Sequence, residues 1–160
     1  MSYELQAVIA GDALLRAAAR EVPGARVAPL RQGLALMPAT GKVFDAVADD
    51  GSEVGALGFW RLSGGFEKLL AQWSATGPVA YVEAEYFGGI GEQRAAVWAD
   101  GALALGPLDE STEPTQGQIS RAVSPISQAL RRLGARSSPG KDEFGAVGLD
   151  RHRYSDEWIA

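Results

Sequence analysis

Two glutamates one residue apart, Glu83 and Glu85, come nearest in type and spacing to a set of residues that could do chemistry. They lie in the run Val79 to Phe87, which reads as a strand. On a strand, Tyr81, Glu83, Glu85 and Phe87 point one way, and Val82, Ala84 and Tyr86 point the other. Two strand rises separate the carboxylates by about 7 Å, inside the spacing of roughly 6.5–9.5 Å used by inverting glycosidases. Any Glu-x-Glu strand produces that separation, so it carries little specificity for acid/base catalysis. The commoner reading is a solvated face of a half-covered antiparallel sheet. A partner-binding face, acidic and framed by Tyr81 and Phe87, stands between those two.

The next residues, Gly88-Gly89-Ile90-Gly91, look like a phosphate-cradling loop only on the surface. No Gly-Lys-Ser/Thr follows, and the segment after them reads as a strand, so no helix N-terminus receives an anion. Three glycines instead suit a hairpin turn with a bulge. Gln93 is placed to tie that turn together by bonding its amides. The single histidine, His152, titrates near neutral pH and is therefore a candidate base. With no Cys in the chain and no Gly-x-Ser-x-Gly elbow, it has no nucleophile to activate, which favours a structural or solvent-facing role. Asp142, Glu143, Asp150 and His152 are metal ligands by type, but their spacing follows no known loop, so no metal and no cofactor are expected.

The elements that must position these residues come from a chain of 160 residues, the size of one domain. Apolar residues make up 46% and charged residues 22%, ordinary globular usage, while 20 glycines favour short strands and turns over a helical bundle. The absence of Cys excludes disulfides, thiolate zinc sites and a cysteine nucleophile. Fifteen basic against twenty acidic residues leave a net charge of −5. That balance argues against nucleic acid and anionic membrane as partners and towards a basic protein. Met1 to Leu5 carries no basic start or apolar run of a secretory signal, and no apolar stretch approaches a membrane span, so a cytoplasmic protein is expected.

Along the chain, Tyr3 to Ala10 reads as a first strand, and Gly11-Asp12 opens a helix with Asp12 as its cap. Leu14, Leu15, Ala18, Ala19 and Val22 form the apolar face of that helix, and Pro23-Gly24 ends it. Between Arg26 and Asp50 the signals are mixed: Arg26 to Leu30 and Leu34 to Met37 read as strands, Lys42 to Ala48 as helix or strand. Ala56 to Leu62 reads as a strand, and Phe66, Leu69, Leu70 and Trp73 follow at the spacing of one helical face. Gly77-Pro78 stops that helix before the hairpin. Asp100-Gly101 then turns into Ala102 to Leu105, giving three consecutive antiparallel strands. Gly106 to Gln118, with Asp109, Glu110 and Glu113, reads as an acidic exposed loop. Ile119 and Val123 add a separate or kinked turn. Ser124-Pro125 caps a helix striped by Ile126, Leu130 and Leu133 and stopped by Gly134. Phe144, Val147, Leu149 and Trp158 are the anchors of the remaining chain.

The run Gly77 to Gln93, with the later Asp142 to Arg153, resembles a family of small uncharacterised bacterial proteins with no assigned catalytic residues. The resemblance covers the second half of the chain and implies a shape and a bacterial origin but no mechanism. In size, acidity and lack of a catalytic set, the chain is also similar in general character to immunity proteins that neutralise bacterial toxins. The expectation is a single α+β domain over residues 1–160, with an antiparallel sheet of about four to six strands and two to four helices packed mainly on one face. Its function is expected to be binding of a basic protein partner through Tyr81, Glu83, Glu85, Phe87, Gly88, Gly89, Gln93, Asp109, Glu110 and Glu113. A pocket at the glycine turn using Glu83 or Glu85 with His152, in an enzyme or small-ligand protein, is the alternative. A homo-oligomer paired through an exposed hairpin edge is the third reading.

Overall fold

Leu5, Ala7, Val8, Ile9 and Ala10 are all fully buried, although successive strand residues point to opposite faces of a sheet. That burial requires cover on both sides, and the fold supplies it. The computed structural model describes residues 2–47, 62, 64–87, 90–112 and 124–159. Six strands form one sheet: β1 (Ser2–Gly11), β2 (Ala28–Pro29), β3 (Leu34–Pro38), β4 (Val79–Phe87), β5 (Ile90–Ala99) and β6 (Ala102–Thr112). Their spatial order is β2-β3-β1-β4-β5-β6, and every pairing is antiparallel. The protein is therefore α+β, with the β4-β5-β6 meander expected from the sequence.

Five α-helices occur among the described residues. On one face lie α1 (Asp12–Ala19), α2 (Gly41–Val47) and α3 (Gly64–Trp73). Leu15, Ala18, Val43, Phe66, Leu70 and Trp73 from these helices pack with Val8, Met37, Tyr81 and Trp98 of the sheet. On the other face lie α4 (Pro125–Arg132) and α5 (Glu143–Val147). Ile126, Leu130, Val147, Leu149 and Trp158 there pack with Leu5, Ile9, Leu36, Val82 and Val97. Helices on both faces correct the one-sided packing expected from the sequence. The reason is the small size of the inward side chains: strands rich in Ala and Val present apolar surface in both directions, and each face needs its own layer.

Local chemistry explains most boundaries. Asp100 and Gly101 both have positive φ, 53° and 83°, which a tight turn between β5 and β6 demands. Ser124 caps α4 by accepting from the Ser127 amide, with Pro125 in the first turn. Phe66, Leu70 and Trp73 are buried at the predicted helical spacing, and Trp73 Nε1 donates to Glu21 Oε2 at 2.8 Å.

Three expectations change. Gly11 caps α1 and Asp12 sits inside the first turn, bonded to Arg16 at 3.0 Å. The helix also stops at Ala19, four residues before Pro23. The acidic segment from Gly106 is not a loop as far as Thr112, because β6 runs on through it. The edge strand tolerates Pro107 because it falls at the register shift between the pairs Ala95 with Leu108 and Val97 with Leu105, where the regular ladder is interrupted. The mixed region resolves into β2, β3 and α2. The strand expected at Ala56 to Leu62 lies outside the described residues apart from Leu62, which is buried. The loop beyond Thr112 and the turn at Ile119 and Val123 lie outside them too. Among the described residues no helix is long and apolar enough to cross a membrane.

Candidate functional site

Tyr81 and Glu83 share a strand face, and α3 covers it. Both are fully buried. The Tyr81 hydroxyl donates to Glu83 Oε2 at 2.7 Å, and the Phe66 ring meets Tyr81 edge-on with centroids 5.8 Å apart. Neither residue can stand on an exposed partner-binding face, which corrects the sequence reading for these two positions. The cover ends one pleat later: Glu85 is exposed and Phe87 is 77% exposed.

Strand register then assembles rows from the edge of this cover outward. Gln6, Glu83, Arg94 and Asp109 are aligned across β1, β4, β5 and β6. The next row aligns Glu4, Glu85 and Glu92, and the last aligns Ser2, Phe87 and Ile90. Arg94 reaches Glu92 at 3.1 Å and Asp109 at 3.7 Å. No ion pair among the described residues reaches Glu4 or Glu85. The C-terminal segment steadies the β1 end of these rows, since the Arg153 carbonyl accepts from the Glu4 amide at 2.6 Å and Ser155 Oγ accepts from the Gln6 amide at 3.0 Å. The result is a patch of carboxylates beside two exposed apolar side chains, Phe87 and Ile90.

Gln93 and Glu110 leave this patch for the opposite face, where they are aligned with each other across β5 and β6. Gln93 does not tie the turn as expected. Its Nε2 donates to the Tyr86 hydroxyl at 2.8 Å and its Oε1 accepts from the Ile126 amide at 2.9 Å, so it fastens the sheet to the start of α4. Gly88, Gly89 and Glu113 lie outside the described residues.

A cleft of about 330 Å³ opens on that opposite face. The sheet supplies Tyr3, Ala84, Tyr86 and Gln93, and the helical layer supplies Ser124, Ile126, Asp142 and Phe144. The Tyr3 and Phe144 rings touch at 5.5 Å with a 59° tilt, and the Tyr3 hydroxyl donates to the Leu149 carbonyl at 3.1 Å. Burial, helped by the negative charge of Asp150, pushes ionisation of Tyr3 well above its ordinary range. Burial raises Tyr86 as well, with the Gln93 hydrogen bond opposing and Glu110 adding to the rise.

Glu83 and Glu85 cannot serve this cleft, because they point to the other face of the sheet. His152 is on the cleft's side of the sheet, packed edge-on against Trp158 at 4.7 Å, and is not among the residues lining the cleft. The expected combination of Glu83 or Glu85 with His152 is thus split by the sheet. Asp142 caps α5 by accepting from the Gly145 amide, and Glu143 is paired with Arg131 at 2.8 Å. No group of three or more His, Asp or Glu side chains among the described residues is arranged to hold a metal ion.

Sequence reasoning missed Glu4, Glu92, Arg94 and Ile90. The signal was present: pairing Phe87 with Ile90 fixes Glu85 opposite Glu92 and Glu83 opposite Arg94. The cleft residues carry no comparable signal, because their meeting depends on where α4 and α5 dock. No family model, no curated protein and no solved structure matches the chain.

Proposed function

We propose that this protein is a cytoplasmic binding protein of the immunity type, which sets the acidic end of its sheet against a basic surface of a protein partner and blocks it. The observation that carries the reading is the row Glu4, Glu85 and Glu92, aligned across three strands and flanked by exposed Phe87 and Ile90. Like charges directly opposite each other on a sheet oppose folding. A cationic surface laid over them removes that repulsion. Phe87 and Ile90 add apolar area at one edge of the patch, and each Å² withdrawn from water contributes roughly 25 cal/mol. The net charge of −5 speeds the encounter with a basic partner over long range.

The test is affinity capture from a lysate of the source cells, followed by association kinetics with the captured protein at low and moderate salt. A form carrying Glu85→Lys and Glu92→Lys serves as the control. The expected result is a basic partner whose association slows by about tenfold or more with the control and with added salt. Phe87→Ala is expected to act on dissociation instead. Association that is indifferent to both charge reversal and salt would overturn the reading.

A further inference from the structure

The cleft behind the acidic patch has a size and a lining of its own. Its volume of about 330 Å³ lies at the lower end of the range for small-molecule sites, roughly 300–1,000 Å³. Tyr3, Tyr86 and Phe144, all partly exposed, wall it with aromatic surface. Most of its polar groups are already committed. The Tyr3 hydroxyl donates to Leu149, both ends of the Gln93 amide are bonded, and Ser124 Oγ accepts from the Ser127 amide. Ser124 Oγ still holds its own proton, and two further groups keep capacity. The Tyr86 hydroxyl accepts from Gln93 and retains its own proton to donate. Asp142 is exposed at the rim, and only its Oδ1 is engaged, by the Gly145 amide at 3.0 Å.

Charge decides the class of ligand. Among the described residues no Lys or Arg lines the cleft, and Asp142 is the one ionised side chain in its lining. Burial is the main reason both tyrosine hydroxyls resist ionisation, and Asp150 near Tyr3 and Glu110 near Tyr86 add negative charge to it. Aromatic faces attract cations through their quadrupoles, and a carboxylate beside them strengthens the attraction. We propose that the cleft binds a small organic cation, an arylalkyl ammonium whose apolar body lies among Tyr3, Tyr86 and Phe144 and whose ammonium group meets the Asp142 carboxylate. The Tyr86 hydroxyl donates to any oxygen the ligand carries on its body. A carboxylate-bearing analogue is repelled by Asp142.

Calorimetric titration with tyramine, and with 4-hydroxyphenylacetate as the anion of matched shape, tests the assignment on the whole chain. Tyramine is expected to bind and shift the ring resonances of Tyr86 and Phe144, and the acid is expected not to bind. Asp142→Asn retains a good helix cap while removing the charge, so it should keep the melting temperature and weaken tyramine by about tenfold or more. The form with Glu85→Lys and Glu92→Lys, altered only on the opposite face, should bind tyramine unchanged. Equal binding of acid and amine, undiminished binding by Asp142→Asn, loss of binding in the charge-reversed form, or no binding of tyramine would each overturn the proposal. None of these outcomes bears on the protein partner, whose test uses the other face.

Discussion

Glu143 is 2% exposed and carries a charge, a combination that holds only with a partner. Arg131 provides it, with Nε 2.8 Å from Glu143 Oε1, while keeping half of its own side chain in water. Burial alone would raise the carboxyl. The Arg131 hydrogen bond and charge, with a backbone amide, outweigh that and hold the pKa below its ordinary value of 4.5. A carboxyl depressed in the folded state contributes stability above its unfolded pKa and loses it as pH falls through the folded one. Glu143→Gln is therefore expected to lower unfolding free energy by about 1–2 kcal/mol at neutral pH. That difference should shrink progressively below a pH of about 4.5. Urea unfolding of both forms across the acid range measures it, and a difference independent of pH would show that the ion pair adds nothing. Neither this pair nor the bridge made by Gln93 was legible in the sequence. Both join residues whose distance along the chain gives no period to read, whereas the Ser124 cap, fixed by its neighbours, was legible in full.

At the scale of elements, local rules succeed where one strand or one turn decides. Asp100-Gly101 announces its turn because only residues tolerant of positive φ fit there. The stripe of Phe66, Leu70 and Trp73 announces α3. They fail at β6, where Pro107 and a run of acids read as loop although an edge strand accepts both. Two glycines separate backbone conformation from close approach. At Gly101 a Cβ would meet nothing within 4 Å, but φ is 83°. Gly101→Ala should thus cost about 1–2 kcal/mol, the strain of a left-handed residue. At Gly91 a Cβ would fall against the Glu85 carbonyl oxygen and within 2.7 Å of the Tyr86 Cα, so β4 and β5 must part. Gly91→Ala should destabilise more than Gly101→Ala and displace Glu85 from Glu92, weakening partner association that Gly101→Ala leaves intact. Denaturation midpoints and association rates separate the two, and a Gly91→Ala form as stable as the parent would contradict the close strand approach.

For the whole molecule, the decisive property is that one sheet has two unlike faces at its open end. Alternation along Val79 to Phe87 was legible, and so was an acidic character. What the sequence could not supply was the extent of each helical layer, which buries Glu83 and leaves Glu85 in water one pleat away. The exposed row has a consequence for the protein alone. Glu85 faces Glu4 on one side and Glu92 on the other, so Glu85→Gln removes two like-charge contacts and no ion pair among the described residues. The isolated protein should become more stable by about 0.2–1 kcal/mol, and the gain should fade at high salt as screening shortens the reach of each charge. Asp109→Asn is the counter-case, because Asp109 pairs with Arg94 and its loss should not stabilise. Urea midpoints of the three forms at low and high salt decide the matter. A stabilised Glu85→Gln that also binds its partner more slowly would mean that the carboxylate row opposes folding and serves recognition. A destabilised one would make the row part of what holds the sheet together, and the case for an acidic docking face would lose its main support.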